Sequence, residues 1–334
     1  MQDPPADCLR AQPAQAVLDA GRDRTVQSSG ATSRVSHRAA VRLAVARESA
    51  LVTPMSIERP PLPDFQNPPV VEVALAVQFE PLTALRTPHL GLLWSIWRDR
   101  FGKTEEHPPL DPVMERFGTP ALLGGGPGIR IASAPPVPRC WFLNESGTEL
   151  IQVQQDRFVH NWRKTGVSDT YPRYEAIRTR FMKELAEFCR FVKDEKLGEL
   201  TPTQCEVTYV NHMRAKLGWE NQGQVNRVLA VWSGMHSDEF LGEPEDVRLA
   251  VRHVMRDDTQ KPVGRLHISL QPGYLREDDE PILVLTLTAR GAPEGQGIDA
   301  VCRFIDRGRT WIVSGFASVT TAEMHKIWGR CDEH

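Results

Sequence analysis

Val70-Val71-Glu72-Val73-Ala74-Leu75-Ala76-Val77-Gln78-Phe79 alternates without a break. Val71, Val73, Leu75, Val77 and Phe79 take one phase, and Glu72, Ala74, Ala76 and Gln78 take the other. Successive strand side chains point to opposite faces, so this period of two predicts a strand with one buried and one polar face. The stretch Gln204-Cys205-Glu206-Val207 opens in the same way, with Tyr209 continuing the apolar phase. Working outward from both, each half of the chain reads as a strand, a short helix, a three-strand meander and a long helix.

In the first half, Leu90, Leu93, Trp94, Trp97 and Phe101 recur at helical spacing. Strands follow at 140–144, 150–154 and 158–164. Pro172 opens a helix whose apolar stripe is Ile177, Phe181, Leu185, Phe188 and Val192. In the second half a short helix covers 225–232, strands cover 247–255, 264–272 and 282–290, and a helix carries Val301, Phe304, Ile305, Gly308, Trp311, Ile312 and Phe316. Thr320-x-x-Glu323 reads as the capping box of a short terminal helix. Meanders interspersed with helices predict the α+β class, with antiparallel sheet and helices on one face. The order of elements predicts an internal duplication, with an N-terminal half at 61–200 and a C-terminal half at 201–334.

The chain of 334 residues has a net charge of −3, 40% apolar residues and 25% charged residues. These values fit a globular protein and argue against a non-specific nucleic-acid coat. Residues 1–60 differ: Ala, Arg, Ser and Gln dominate and aromatics are nearly absent. Seven Arg against five acidic residues leave residues 1–54 at +2 and the remainder at −5. That composition predicts a disordered extension, with Met55 as the true start. Six scattered cysteines without a CxxC pair predict neither a disulfide framework nor a zinc knuckle, and point to a reducing cytoplasm.

Catalytic and cofactor signatures are lacking. Leu122-Leu123-Gly124-Gly125-Gly126-Pro127-Gly128 has no Lys-Ser/Thr ending and reads as a loop, not a phosphate cradle. The histidines form no HxxxH pair, and His160 alternates with Phe158 and Trp162 as a packing residue. Cys205 occupies the apolar phase of an inert core thiol. No metal and no cofactor is expected. Trp94, Trp97, Trp311 and Trp328 fit core stripes, whereas Trp162 and Trp219 border loops and are candidate pocket residues.

The polar phase of the strands is the richest constellation. It places Gln152 and Gln154, Asn161 and Arg163, Arg248 and Arg252, Arg265 and His267, and Arg290 on a face predicted to lie open, as a ligand surface. Arginine forks suit phosphate or carboxylate groups. The leading expectation is therefore a non-enzymatic binding protein that engages an anionic ligand or a protein partner through this face or through the long helices at 172–196 and 298–316. One alternative is nucleic-acid binding by the same face. The other is a small-molecule enzyme with Glu72, Glu206 and His212 as acid–base residues between the halves, the two glutamates approaching one another. Edge strands leave room for a homodimer, and no membrane partner is expected.

Five strings carry a resemblance: Phe65–Leu82 (FQNPPVVEVALAVQFEPL), Trp141–Lys164 (WFLNESGTELIQVQQDRFVHNWRK), Gln204–His212 (QCEVTYVNH), Ile282–Gly291 (ILVLTLTARG) and Thr320–Arg330 (TTAEMHKIWGR). Over residues 60–330 the chain resembles a sporadically distributed bacterial family of uncharacterised proteins. The resemblance implies an accessory role, as in defence or mobile-element functions. It transfers no catalytic residue.

Overall fold

The alternating segment is β2 (Val70–Phe79), and it pairs antiparallel with β7 (Pro202–Arg214), with Ala74 opposite Thr208 and Leu75 opposite Val207. The two halves of the chain thus meet in one continuous sheet. The structure is a computed structural model and describes residues 62–118, 137–232, 240–275 and 278–332. The predicted N-terminal extension, the Met55 start and the Gly124–Gly128 loop lie outside the described residues.

In chain order the remaining elements are β1 (Pro63–Phe65), α1 (Thr87–Trp97), β3 (Lys103–His107), β4 (Arg139–Leu143), β5 (Glu149–Gln154), β6 (Arg157–Arg163), α2 (Tyr174–Asp194), α3 (Val225–Val228), β8 (Leu249–Arg256), β9 (Pro262–Tyr274), β10 (Pro281–Gly291), α4 (Gly297–Val319), α5 (Ala322–Ile327) and β11 (Arg330–Asp332). Nine strands form one antiparallel sheet in the order β3-β4-β5-β6-β2-β7-β10-β9-β8, and β1 pairs with β11. Outward from the centre, β6, β5 and β4 flank β2 as β10, β9 and β8 flank β7. The fold is α+β, with two halves of similar element order.

The apolar phase of every central strand meets the helices. Val73, Leu75, Val77, Phe158, Val207, Leu285 and Leu287 are buried beneath α2 and α4, whose own stripes (Ile177, Phe181, Leu185, Phe188; Val301, Phe304, Ile305, Ile312) are equally buried. Each such side chain contributes about 1.5–3 kcal/mol of transfer free energy, so this layer dominates the stability. Gly308 lets α4 approach the sheet, since a β-carbon there would sit 2.9 Å from Val207 Cγ2 and 3.3 Å from Ala289 Cβ. The outer strands β3 and β8 are mostly exposed and rich in Lys, Arg, Glu and His, which discourages edge-to-edge pairing.

Three local expectations need correction. The cap of α5 is Thr321, whose hydroxyl accepts from the Met324 amide, while Thr320 donates back to the Phe316 carbonyl at 2.7 Å and closes α4. The helix expected over 225–232 ends at Val228, where Leu229 bridges to Thr320. Trp162 and Trp219 belong to the core.

Candidate functional site

The polar phase of the sheet forms a grid that can be read from the strand register. One row runs Gln154, Arg157, Gln78 and Gln204 straight across β5, β6, β2 and β7. The next runs Gln152, Val159, Ala76, Glu206, Arg290 and Arg265. A third runs Leu150, Asn161, Ala74, Thr208, Thr288 and His267, and a fourth carries Arg163, Glu72, Val210 and Thr286. Long polar side chains therefore ring a floor of Ala74, Ala76, Val159 and Val210, where little rises from the backbone.

The face expected to lie open is covered in part. Residues 108–118, which follow β3, lie across the strands as a strap. The Gln154 carboxamide accepts from the Leu110 amide at 3.0 Å and donates to the Leu110 carbonyl at 2.9 Å. Arg157 donates to the Asp111 carbonyl at 3.0 Å, Gln78 accepts from the Val113 amide at 2.9 Å, and Gln204 accepts from the Glu115 amide at 3.3 Å. The five residue-to-residue steps from Leu110 to Glu115 span about 16 Å extended, which matches the roughly 14 Å across three strand spacings from β5 to β7. Farther along, the Glu115 carboxylate meets Arg265, His267 Nε2 at 2.7 Å and Arg290 at 3.6 Å, while Arg265 also donates to the Arg116 carbonyl at 2.6 Å and stacks on Phe117. Burial pushes the Glu115 carboxyl up, but hydrogen bonds and charge from His267, Arg265 and Arg290 outweigh it and hold the group below its ordinary value.

Between strap and sheet lies a cavity of about 140 Å³. Three arginines reach its wall: Arg139, Arg157 and Arg290. Arg290 is answered by Glu206, whose Oε2 accepts from its Nε at 2.6 Å. Burial raises the Glu206 carboxyl, yet the charges of Arg290 and Arg157 and the bonds from Arg290 and Thr208 bring it below its usual value. Arg157 donates to Gln78 Oε1 at 2.9 Å as well as to the strap. Arg139 has no acidic partner among the described residues. Its Nη1 donates to Gln152 Oε1 at 3.1 Å, which begins a chain: Gln152 Nε2 to Asn161 Oδ1 at 2.8 Å, then Asn161 Nδ2 to Glu72 Oε1 at 2.6 Å. Its Nε and Nη2, and the Nε1 of Trp141 beneath the same guanidinium, have no partner among the described residues. Burial and the neighbouring Arg157 charge lower Arg139 to about 10, so it remains a cation at neutral pH.

Of the residues singled out from sequence, Gln152, Asn161, His267, Arg290, Glu72 and Glu206 line the cavity, and Gln154 anchors the strap beside it. Arg265 holds the strap. Arg163 is half-buried, donates to the Gly147 carbonyl at 2.9 Å and lies over Trp141. Arg248 and Arg252 stand exposed at the outer strand β8 and are not brought into the group.

Glu72 and Glu206 sit four residues apart in register, since Glu206 faces Ala76; that separates their backbones by about 13 Å along the strands. Each carboxyl has its own partner. Burial raises Glu72 above its ordinary value, against the Asn161 bond and the Arg163 charge. His212 lies outside the cavity lining, lowered by burial to about 4.

His160 is on the helix side, buried, with Nδ1 2.6 Å from Glu184 Oε2. Cys205 is in the core, and burial pushes its thiol up. Among the described residues no three His, Cys, Asp or Glu side chains gather as a metal site, and no helix is long and apolar enough to cross a membrane.

Arg139, Trp141, Arg157, Gln78, Gln204 and Glu115 were not singled out from sequence. For Arg139, Trp141 and Arg157 the signal was present, because period-two alternation puts them in phase with Gln152 and Asn161. Comparison of the chain with protein-family models, curated proteins and solved structures finds no match.

Proposed function

We propose that this protein is a binding protein, not an enzyme, and that its ligand is a small anion held between the strap and the polar face of the sheet. One observation carries the reading: of three guanidinium groups around a shallow floor, Arg139 is buried, charged and without an acidic counterpart among the described residues. A buried cation is costly unless paired, and an anion entering the cavity supplies the pair. The strap bonded across Gln154, Arg157, Gln78 and Gln204 favours a small molecule over the alternatives. Nucleic acid draws no support from a face occupied by residues 108–118, and a protein partner would have to displace them.

Isothermal titration of the full chain against phosphate, sulfate, acetate and benzoate, beside duplex and single-stranded DNA, tests the reading. Saturable binding of a small anion, lost in Arg139→Met, supports it. Silence toward every small anion refutes it, and salt-sensitive DNA binding would transfer the site to nucleic acid.

A second reading rests on Glu72, which lines the cavity and whose carboxyl burial raises, as a general acid requires. It predicts that Glu72→Gln retains ligand while abolishing its conversion. The bacterial-family membership, the accessory role, a cytoplasmic setting and the duplication belong to the same proposal. The duplication is supported by two equivalently placed acid–arginine pairs, Glu72 facing Arg163 and Glu206 facing Arg290.

A further inference from the structure

Asn211 breaks the pattern of its own strand. Along β7 the phase that faces the helices runs Cys205, Val207, Tyr209, Asn211 and Met213, and every member is buried. Asn211 is only 1% exposed. Its Nδ2 donates to the Leu285 carbonyl at 3.1 Å, which assigns the nitrogen and the oxygen of the carboxamide. Its Oδ1 has no partner among the described residues and, unlike the Nε1 of Trp219 in the same core, is not sealed from its surroundings. A buried carboxamide oxygen is costly unless something donates to it.

That oxygen belongs to a pocket of about 220 Å³ on the helix side of the sheet, between β1, the start of α2 and α4. Tyr209 and Tyr171 also line it, and their hydroxyls lie 3.1 Å apart. One hydroxyl donates to the other, so the second keeps a hydrogen with no acceptor among the described residues. Burial raises both phenols, Tyr171 to about 12, so both remain donors at neutral pH. Tyr209 and Asn211 are neighbours on one face, about 7 Å apart along the strand. The pocket therefore offers one ligand a spare acceptor and a spare donor. Phe65, Val70, Ile312, Val313 and Phe316 supply an apolar wall. The charged residues of the lining cancel in pairs: Arg173 holds Asp64 at 2.9 Å, and Arg309 stands 3.7 Å from Glu175.

We infer that this pocket binds an uncharged single-ring phenol or alcohol, its O–H donating to Asn211 Oδ1, its oxygen accepting from the Tyr171–Tyr209 pair, and its ring against Phe65, Ile312 and Phe316. The volume exceeds the roughly 150 Å³ that admits benzene in an apolar protein cavity, which leaves room for one ring and its hydroxyl. An anion would meet the Asn211 oxygen with both cations already matched by acids. A hydrocarbon would leave both spare groups unmet, and an ether accepts but cannot donate. The pocket lies on the opposite face of the sheet from the anion cavity and shares no lining residue with it, so the two sites stand or fall separately.

The test is isothermal titration of the full chain with phenol, anisole and toluene. Phenol should bind at least about tenfold more tightly than anisole, which lacks the donor, and than toluene, which lacks both groups. In Arg139→Met, where the anion cavity is disabled, phenol should keep its affinity and benzoate should not bind. Asn211→Leu should weaken phenol at least about tenfold and leave toluene within about twofold, the retained toluene showing an intact pocket. Should Asn211→Leu fail to fold, the ranking of the three probes on the unaltered chain decides alone. Equal affinities for phenol and anisole, binding of benzoate in Arg139→Met, or unchanged phenol affinity in Asn211→Leu overturns the assignment. No binding by any of the three leaves the pocket to water and overturns it too; none of these results touches the anion cavity.

Discussion

Replacing Arg139 by methionine should make the ligand-free protein more stable. The side chain is 4% exposed, makes one side-chain hydrogen bond, to Gln152, and leaves Nε and Nη2 without partners among the described residues. Losing the Gln152 bond and orphaning its oxygen costs about 1–3 kcal/mol. Against that stands the desolvation of an uncompensated guanidinium, several kcal/mol per buried ion, together with two unmet donors. Methionine fills similar volume with a flexible apolar chain. The balance favours the variant by about 2 kcal/mol, a rise of roughly 4–8 °C in Tm for a domain of this size.

Differential scanning calorimetry at pH 7 without added anions measures it. Saturating ligand should reverse the order, because only the native protein gains the linkage term, about 2.7 kcal/mol at a hundredfold excess over Kd. A ligand-free variant that melts below the native protein would refute the reasoning, since it would mean that Arg139 is already satisfied.

Glu115→Gln should loosen the strap, because it leaves Arg265 and Arg290 facing a neutral amide. A loss of about 2–3 kcal/mol is expected, with faster hydrogen exchange at the amides of Leu110, Val113 and Glu115; unchanged exchange there would count against the latch. Since that carboxyl is held below its ordinary value of 4.5, its contribution is complete above pH 4.5 and drains away as the solution becomes more acidic than that.

His212, lowered by burial from 6.5 to about 4, must be neutral in the fold. Stability should therefore fall as pH drops from 6.5 to 4, by roughly 1–2 kcal/mol after solvent screening, and His212→Asn should flatten that slope in a pH series of denaturant melts. An equally steep slope in the variant would show that other groups cause it. Gly308→Val should cost about 2–3 kcal/mol by forcing α4 off Val207 and Ala289, read as a lower urea midpoint; a neutral result would contradict the close approach.

The alternation of residues 70–79 and 204–209 carried most of the fold. Once Val73, Leu75 and Val207 are assigned to a buried face, the phases of β5, β6, β9 and β10 follow, and so does the polar face opposite. Gln152, Asn161, His267 and Arg290 reach the cavity for that reason. What was hidden was the strap. Pro108, Pro109 and Pro112 interrupt any periodicity, and its contacts join side chains of the sheet to main-chain groups far away in sequence, which leave no mark on either segment. The five-residue β4 is too short for alternation to stand out, so Arg139 and Trp141 escaped notice. Arg252 went astray for a different reason. Its phase was read correctly, since it faces His267 across β8 and β9, but phase says nothing of distance from the centre of a nine-stranded sheet.

The most direct test of the central claim is a crystal structure of the full chain grown with benzoate. The account predicts density for the bound anion in the cavity lined by Arg139, Arg157 and Arg290, beside residues 108–118. An empty cavity at saturating benzoate, with Arg139 turned to an acidic side chain of the protein itself, would contradict it.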